Sequence, residues 1–283
     1  MNKEAVNKKA VNKKVVIQKE AVGNAEVPSM KEDRHFITAL ARGLDLLSCF
    51  RSGDRLFGNQ ELAERCKLPK STVSRLTYTL TKLGYLQLDQ EVGKYRLGTA
   101  TLALGSAMLA RLDVRQLARP AMQQLADFSH AMVSLGVRDR LSMIYVENCR
   151  SQAALTLSLD VGSRIPIART AMGRAYLALA PQTERNDILE RVRELDSAAW
   201  PRIEEGVQHA LEEYQTLGCC TSLGDWQPDV NAIAIAFRPA DGGVPISINC
   251  GGPAFNLSAD FLLNEMRPRL LAIVADLRAA TAS

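Results

Sequence analysis

The chain has 283 residues, of which 47% are hydrophobic, so it is long enough for about two domains with apolar cores. Its formal net charge of +4 permits binding to nucleic acid without requiring it. No apolar run approaches the roughly 20 residues of a membrane span, and the start lacks the apolar core of a signal peptide. Six cysteines and three histidines show no metal-ligand spacing. We therefore expect reduced thiols, no metal, no cofactor, no membrane association and a cytoplasmic location.

Residues 1–34 form a lysine-rich tail in which the unit Ala-Val-Asn-Lys-Lys occurs twice in succession, at 5–9 and 10–14. This segment has too little apolar surface to offset the cost of ordering the chain. Two interpretations stay open: a disordered leader, or a basic arm that adds non-specific affinity for DNA.

Residues 35–98 predict three helices followed by a β-hairpin, which is the layout of a winged helix-turn-helix domain. The first helix ends near Arg51, and Asn59 is suited to cap a second helix at Gln60–Cys66. The apolar stripe that we assign to the first helix consists of Phe36, Leu40, Leu44 and Leu47.

The third helix carries the strongest indication of function. Pro69 pushes the residue before it out of the helical region and is well suited to the first position of a helix that Gly84 ends. One face of this helix is apolar (Val73, Leu76, Leu80 and Leu83), and the other carries hydroxyls, an aromatic ring and cations but no carboxylate. Such a face can reach phosphates and base edges, although an ordinary solvated face is the alternative. The predicted base or phosphate contacts are Ser71, Thr72, Ser74, Arg75 and Tyr78, with Arg42, Lys70 and Lys94 on the DNA backbone.

Two short alternating runs, Tyr85–Asp89 and Lys94–Leu97, enclose a turn and predict the hairpin. Between His35 and Gly98 there are 10 Lys and Arg residues against 6 Asp and Glu residues, which is a small excess of the right sign. The hairpin tip, Asp89-Gln-Glu91, is acidic, and this weakens the case that the wing enters a minor groove.

Five runs in this half resemble the IclR family of bacterial transcriptional regulators. The most specific combination is Leu-Pro-Lys-Ser-Thr-Val followed by Tyr-Arg-Leu-Gly, and the resemblance extends over residues of about 36–281. It implies a regulator that binds a double-stranded DNA operator through the winged helix and a small organic acid through a C-terminal effector-binding domain. The five runs are Ala39–Leu47, Glu61–Ala63, Leu68–Leu76, Gly84-Tyr85 and Tyr95–Gly98.

Residues 99–113 predict a linker helix that is almost entirely apolar before Arg111. A helix of this composition needs cover, either from its own chain or from a symmetric partner chain. The resemblance implies the second arrangement, in which linker helices pair two DNA-binding domains. We therefore expect a homodimer or a dimer of dimers.

Residues 114–283 predict an α+β domain in which helices lie outside an antiparallel sheet, similar to a GAF-like sensor fold. The predicted helices are Arg115–Ser129, Thr170–Ala180, one that begins at Pro181, Ile203–Leu217, and Ala259–Ala280 with Ser258 as its cap. The predicted strands are Ala131–Val137, Ser142–Glu147, Ala154–Leu159, Arg164–Ile167, Cys219–Leu223, Asn231–Phe237 and Pro245–Cys250.

A helix that begins just after a strand at Thr170 offers free N–H groups and a positive dipole end, which suit a carboxylate. Ordinary capping by Thr170 is the alternative. The resemblance implies that residues 162–173 form one wall of the effector pocket and residues 218–232 form the other. The predicted effector contacts are Thr170, Ala171, Met172, Gly173, Ser222, Asp225 and Ala232, with Ser247 and Asn249 on the next strand.

The sequence departs from the family pattern in this pocket. Ser222 stands where family members often have a carboxylate, and Trp226 adds aromatic surface. These departures favour a small organic acid with a flat or apolar group, such as an aromatic acid. The other interpretation is that Trp226 is a lid or a dimer contact. Cys219 and Cys220 are adjacent on a strand and point to opposite faces, which favours packing over redox chemistry.

Motifs for catalysis are absent from the sequence, which has no P-loop, G-x-G-x-x-G, H-E-x-x-H or G-x-S-x-G. His130 and His209 have no patterned partner. The favoured interpretation is a DNA-binding transcriptional regulator that is not an enzyme and has no catalytic residues. The alternatives are a ligand sensor that acts through protein partners and a small-acid enzyme, which would need a nucleophile–base pair.

Overall fold

The computed structural model describes residues 34–51, 54, 56–151, 159–240 and 242–282. The tail up to residue 33 and all but the last residue of the strand predicted at Ala154–Leu159 lie outside the described residues. In the N-terminal half, the observed elements are α1 (Thr38–Ser48), α2 (Asn59–Cys66), α3 (Lys70–Lys82), β1 (Leu86–Asp89), β2 (Lys94–Leu97) and α4 (Thr99–Leu109).

The first three helices and the hairpin enclose one small core, and together they form the predicted winged helix-turn-helix. The hairpin pairs β1 with β2 antiparallel, and Phe57 forms an isolated bridge with Tyr95 that ties the segment before α2 to the wing. The buried residues of this core are Leu46, Cys49, Phe57, Leu62, Ala63, Val73 and Leu86.

Some of the predicted apolar positions are wrong. Leu40 and Leu44 are 59% and 55% exposed, because α1 turns Gly43 and Leu46 inward instead. Leu83 follows the last residue of α3 and is 61% exposed. In α3 a polar residue, Thr77, takes a core position that hydrophobic spacing could not reveal.

Thr77 is accommodated because its hydroxyl donates hydrogen bonds to the Val73 carbonyl at 3.0 Å and to Asn59 Oδ1 at 3.1 Å. Asn59 is therefore the first residue of α2 and not its cap. Gly58 is the N-cap, and its N–H donates to Glu61 Oε2 at 2.7 Å. Likewise, Pro69 is the N-cap of α3 and not its first helical residue.

Helix α4 lies where the linker was predicted, and none of its residues is buried in the described part of the chain. Leu102, Leu104 and Met108 are exposed. Leu109 at the end of the helix packs against the core of the C-terminal half, but most of the apolar surface of α4 has no cover from the described residues.

The C-terminal half contains a six-stranded antiparallel sheet and its surrounding helices. The strand order is β5-β4-β3-β8-β7-β6, with a register shift between Leu135 and Gly136 where β3 pairs with β4. The strands are β3 (Met132–Asp139), β4 (Ser142–Arg150), β5 (Arg164–Pro166), β6 (Cys220–Leu223), β7 (Val230–Phe237) and β8 (Ile246–Pro253). The helices are α5 (Val114–Ser129), α6 (Ala171–Leu179), α7 (Gln182–Leu195), α8 (Trp200–Leu217), α9 (Ala259–Phe261) and α10 (Arg267–Ala280), with a π-helical turn at Leu262–Met266.

Each face of the sheet covers its own core. One face packs against α5 and α10 through residues such as Ile233, Ile248 and Phe237. The other face packs against α6 and α8. Cys219 belongs to the first core and Cys220 to the second, which confirms that these neighbours pack on opposite sides.

Helix ends in this half follow the expected signals with two differences. Ser258 is the predicted N-cap and accepts a hydrogen bond from Phe261 N–H. Thr170 is also an N-cap and accepts from Gly173 N–H, which is the role given above as the alternative to carboxylate binding. Helix α8 begins at Trp200 rather than Ile203, because Pro201 is tolerated in its first turn. The last helix is interrupted by the π-helical turn that separates α9 from α10.

Gly173 lets α6 pack closely against the connection between β5 and α6, since a Cβ atom here would overlap the backbone of Ile167. We expect Gly173→Ala to lower the free energy of unfolding by about 1–3 kcal/mol through overpacking. The control is Gly43→Ala, because a Cβ at that helical glycine would meet only Leu76 at 3.9 Å. It should be neutral or stabilising by up to about 1 kcal/mol. Urea denaturation followed by circular dichroism measures both, and equal effects would contradict the close approach.

Candidate DNA-binding and ligand-binding sites

The polar face of α3 is open to solvent. Ser71, Ser74, Arg75 and Tyr78 are exposed and Thr72 is half-buried. No side-chain hydrogen bond of Ser71, Thr72, Ser74 or Arg75 occurs within the described residues, so their donors are available to a ligand. The Lys82 ammonium lies 5.5 Å from the centre of the Tyr78 ring. Since α3 has no carboxylate, this face presents donors and positive charge to an approaching phosphate backbone.

The other cations predicted to contact DNA differ in whether protein atoms already bind them. Arg42 is exposed on α1. Lys70 Nζ donates to Gln60 Oε1 at 3.2 Å. Lys94 Nζ forms an ion pair with Glu61 at 3.0 Å, so its charge is partly neutralised before any DNA contact. Because Glu61 also accepts from Gly58 N–H, the pair joins the wing to the start of α2.

The second site is a cavity between α6 and the sheet. It measures about 20 Å³, which is room for one water molecule. The N-terminus of α6 and the sheet face that carries β7 and β8 form its walls. The residues that line it are Tyr145, Ile165, Thr170, Ala171, Ser222, Trp226, Val230, Ala232, Asn249 and Gly251.

Five of the nine predicted effector residues line this cavity: Thr170, Ala171, Ser222, Ala232 and Asn249. The other four lie around it. Met172 packs against Gly136 on the sheet, and Gly173 N–H is used by the Thr170 cap. Ser247 is fully buried two residues before Asn249 on β8, and the Asp225 carboxylate accepts a hydrogen bond from Arg174.

The sheet beneath α6 carries buried polar atoms without partners. Asn249 is 4% exposed, and its Oδ1 has no hydrogen-bond partner among the described residues. The same holds for the hydroxyls of Ser247 and Ser134, and Ser134 lies directly across from Asn249 in the sheet. A buried polar atom without a partner is costly, so such a group marks a place where a ligand or water is expected.

Tyr145 adds a phenol to this floor. Burial raises the pKa of Tyr145 well above its ordinary value, and a hydrogen bond with Asn249 lowers that pKa by less. The phenol is therefore neutral at physiological pH and can both donate and accept a hydrogen bond.

Arg174 anchors the outer wall of the cavity. Its side chain is 4% exposed and donates to the carbonyl oxygens of Ala168 and Thr221, each at 3.2 Å, and to Asp225 Oδ2 at 2.6 Å. Asp225 precedes Trp226, and Gly224 beside it has a φ of +77°, which favours glycine. The ion pair thus fixes the turn that presents Trp226 to the cavity.

A larger and more open cleft lies on the outer side of this ion pair, and it measures about 390 Å³. Its lining mixes cations and carboxylates. Arg169, Arg202 and His209 face Glu205 and Asp225 there, and Leu223 also contributes. No buried side-chain nitrogen or oxygen atom that lines this cleft lacks a hydrogen-bond partner among the described residues, whereas Asn249 in the smaller cavity has one.

Four residues of the cavity were not among the predicted contacts: Tyr145, Ile165, Val230 and Gly251. Ile165 and Val230 lie in the predicted walls, whereas Tyr145 and Gly251 lie outside them. Two of the four belong to strands that were predicted, but local periodicity does not tell which strands become neighbours. The signal that could have found Gly251 is its place two residues after Asn249, since alternate residues of a strand share a face.

The protein has a winged helix with a free polar face, and an apolar helix joins it to an α+β domain that holds a cavity. These features define a transcriptional regulator with a helix-turn-helix DNA-binding domain and a C-terminal effector domain. Residues 39–90 match the IclR helix-turn-helix domain, and residues 106–279 match the bacterial transcriptional regulator IclR C-terminal domain. The chain belongs to the IclR family.

Relatives and solved structures agree with this assignment. The chain is 36% identical over 245 residues to the HTH-type transcriptional regulator TsaQ1/TsaQ2 of Comamonas testosteroni, covering 86% of this chain and 88% of that protein. An IclR family transcriptional regulator from Brucella abortus has a similar crystal structure, with a TM-score of 0.80, 42% identity, and coverage of 90% and 97% of the two chains. An IclR homologue from Microbacterium hydrocarbonoxydans, solved with 4-hydroxybenzoate, has the same fold at a TM-score of 0.66 and 23% identity, covering 85% and 99%.

The described residues contain neither a helix suited to span a membrane nor a cluster suited to bind a metal ion. None of the helices there is long and apolar enough to cross a membrane. No group of three or more histidine, cysteine, aspartate or glutamate side chains in the same residues is placed to hold a metal ion.

Removing the Asp225 carboxylate tests whether the ion pair holds this wall. We expect Asp225→Ala to lower the free energy of unfolding by about 1–2 kcal/mol, at the lower end for a charged hydrogen bond, because the carboxylate is partly screened by solvent. Asp229→Ala is the matched control, since this nearby aspartate is exposed. Urea denaturation of the two variants should separate them, and an equal loss would argue against an anchoring role.

Proposed function

We propose that the protein is a homodimeric or tetrameric transcriptional regulator that reads an operator with α3 and binds a small aromatic acid in the cavity beneath α6. The single observation that carries the ligand site is the set of unpartnered buried polar atoms on the sheet floor, led by Asn249 Oδ1. The observation that supports DNA reading is the exposed, carboxylate-free polar face of α3.

The N-terminus of α6 supports an acidic ligand. The backbone N–H groups of Ala171 and Met172 have no acceptor among the described residues, whereas Gly173 N–H is capped by Thr170. Free N–H groups at a helix N-terminus attract a carboxylate, and the helix dipole adds to this attraction. A carboxylate at Ala171 would place the rest of the ligand over Asn249 and Tyr145.

Trp226 and the small size of the cavity support an aromatic ligand that enters by opening the site. A cavity of about 20 Å³ is smaller than a benzoate, so binding must displace part of the wall. The segment between Gly224 and Val230 carries Trp226 and begins at a glycine with a φ of +77°. The Microbacterium homologue binds 4-hydroxybenzoate, and its shared fold makes this acid a suitable first probe.

Opening the wall would link the ligand to DNA binding. A ligand shifts DNA affinity only by the difference between its affinities for two arrangements of the protein. Typical coupling of about 1–3 kcal/mol changes affinity roughly 5–150-fold. The exposed apolar surface of α4 supports a symmetric partner at this helix, so that the two DNA-binding domains are held at a spacing that the effector domains can alter.

Arg75→Ala tests operator reading. We expect this variant to lose about 1–3 kcal/mol of specific binding, because a guanidinium on the exposed face of α3 would contact a base edge. Fluorescence anisotropy on DNA from the protein's own upstream region, against scrambled DNA over a salt series, measures the effect. Arg191→Ala removes the same charge from an exposed position on α7 and should leave specific binding unchanged. An unchanged ratio of specific to non-specific affinity in Arg75→Ala would remove Arg75 from base reading.

Two tryptophan substitutions on adjacent residues distinguish the two cavities. Ser222 lines the small cavity, and Leu223 lines the outer cleft. We expect Ser222→Trp to abolish the effect of 4-hydroxybenzoate and related aromatic acids on DNA binding, because the indole fills the site. Leu223→Trp should respond normally.

Retained operator binding shows that the DNA-binding domain of each variant is intact, and an unchanged thermal transition of the effector domain shows that the domain carrying the substitution is folded. The reverse result, with a response lost only in Leu223→Trp, would move the ligand to the outer cleft. A wild-type protein that binds its operator but shows no change in anisotropy or melting temperature with any aromatic acid would refute the aromatic ligand while leaving the regulator intact.

A further inference from the structure

Two cysteines meet inside the DNA-binding domain. Cys49 follows the last residue of α1, and Cys66 is the last residue of α2. Their sulfur atoms lie 2.8 Å apart, closer than two sulfurs in ordinary van der Waals contact. Cys49 is buried and Cys66 is half-buried, so a small reagent can reach the pair from the Cys66 side.

The other four cysteines, all in the effector domain, are in different surroundings. Cys149, Cys219, Cys220 and Cys250 are buried. Burial raises the pKa of Cys219 and of Cys250 to about 12, which keeps these thiols protonated and unreactive.

Charge near the first pair favours its reaction. The Cys66 thiol donates to Cys49 and lowers the pKa of Cys49, and the Arg65 guanidinium lowers it further. Arg65 is held in place because its Nη1 donates to the Cys49 carbonyl at 3.1 Å. A thiolate is the reactive form of cysteine, so the pair combines a nucleophile with a second sulfur in contact.

We propose that Cys49 and Cys66 are the site of a reversible disulfide that braces α1 against α2 while leaving DNA binding intact. Cytoplasmic disulfides are uncommon and, where present, usually respond to redox conditions. The site is independent of the proposed ligand; only the DNA readout below depends on the proposed function.

The chemistry balances with a peroxide as the oxidant. One thiolate attacks a peroxide oxygen, the O–O bond breaks, hydroxide leaves, and the sulfur becomes a sulfenic acid. The other thiol then attacks this sulfur, the S–S bond forms, and water leaves. Two thiols have been oxidised and one hydrogen peroxide has been reduced to the level of water. A dithiol reductant reverses the step by thiol–disulfide exchange.

The geometry indicates that the disulfide stabilises the DNA-binding domain and does not prevent DNA binding. The two sulfurs are already in contact, so the bond can form without moving α1 relative to α2. Both sulfurs lie in or against the small core, whereas the side chains of α3 that face solvent point elsewhere. The oxidised domain should therefore keep the arrangement of its recognition helix and resist unfolding better, because a crosslink restricts the unfolded chain.

Mild hydrogen peroxide on the full chain tests this proposal. Titration of the denatured protein should show the number of free thiols falling from six to four, and peptide mapping should find Cys49 joined to Cys66 within one chain. The DNA-binding domain should melt at a higher temperature, and specific operator affinity should change less than about twofold. A dithiol reductant should restore all six thiols.

Cys66→Ser is the informative variant, since this half-buried position tolerates a hydroxyl. After the same treatment this variant should retain its five thiols, apart from any sulfenic acid at Cys49. Cys149→Ser is the matched control and should still lose two thiols. Crosslinks that involve other cysteines or two chains, or no crosslink at all, would overturn the site. A Cys49–Cys66 crosslink that abolishes operator binding in a protein that binds when reduced would overturn the brace.

Discussion

The close approach of helix α6 to the sheet is the constraint on which the effector domain depends. Gly173 allows the helix to sit against the backbone of Ile167, and Gly136 receives Met172 from the same helix. This contact places the first turn of α6 over Asn249 and its polar neighbours.

Local patterns predicted most of the elements, because caps, turns and periodicity act over a few residues. The hairpin, the cap at Ser258, and the antiparallel sheet flanked by helices were found in this way. The errors occurred where tertiary contacts decide the outcome. Thr77 is a core residue only because Asn59 and the Val73 carbonyl satisfy its hydroxyl, and neither partner is visible as a repeat in the sequence.

The two candidate sites also differ in how far local sequence patterns could predict them. The polar face of α3 could be predicted because one helix carries it all. The cavity draws on five strands, a helix terminus and a turn, so spacing within any one element identifies only some of its lining. Tyr145 reaches Asn249 because β4 and β8 flank β3, and this strand order became visible only in the structure.

The exposed helix α4 also bears on how the chain unfolds. The winged-helix core and the cores on the two faces of the sheet share no buried residue among those described, and α4 contributes none of its own. Cooperativity requires shared packing, and one sheet joins its own two cores but not the winged-helix core, so we expect each domain to unfold as its own cooperative unit. A single melting temperature would then average two transitions, and a substitution in one core would shift one transition while leaving the other in place.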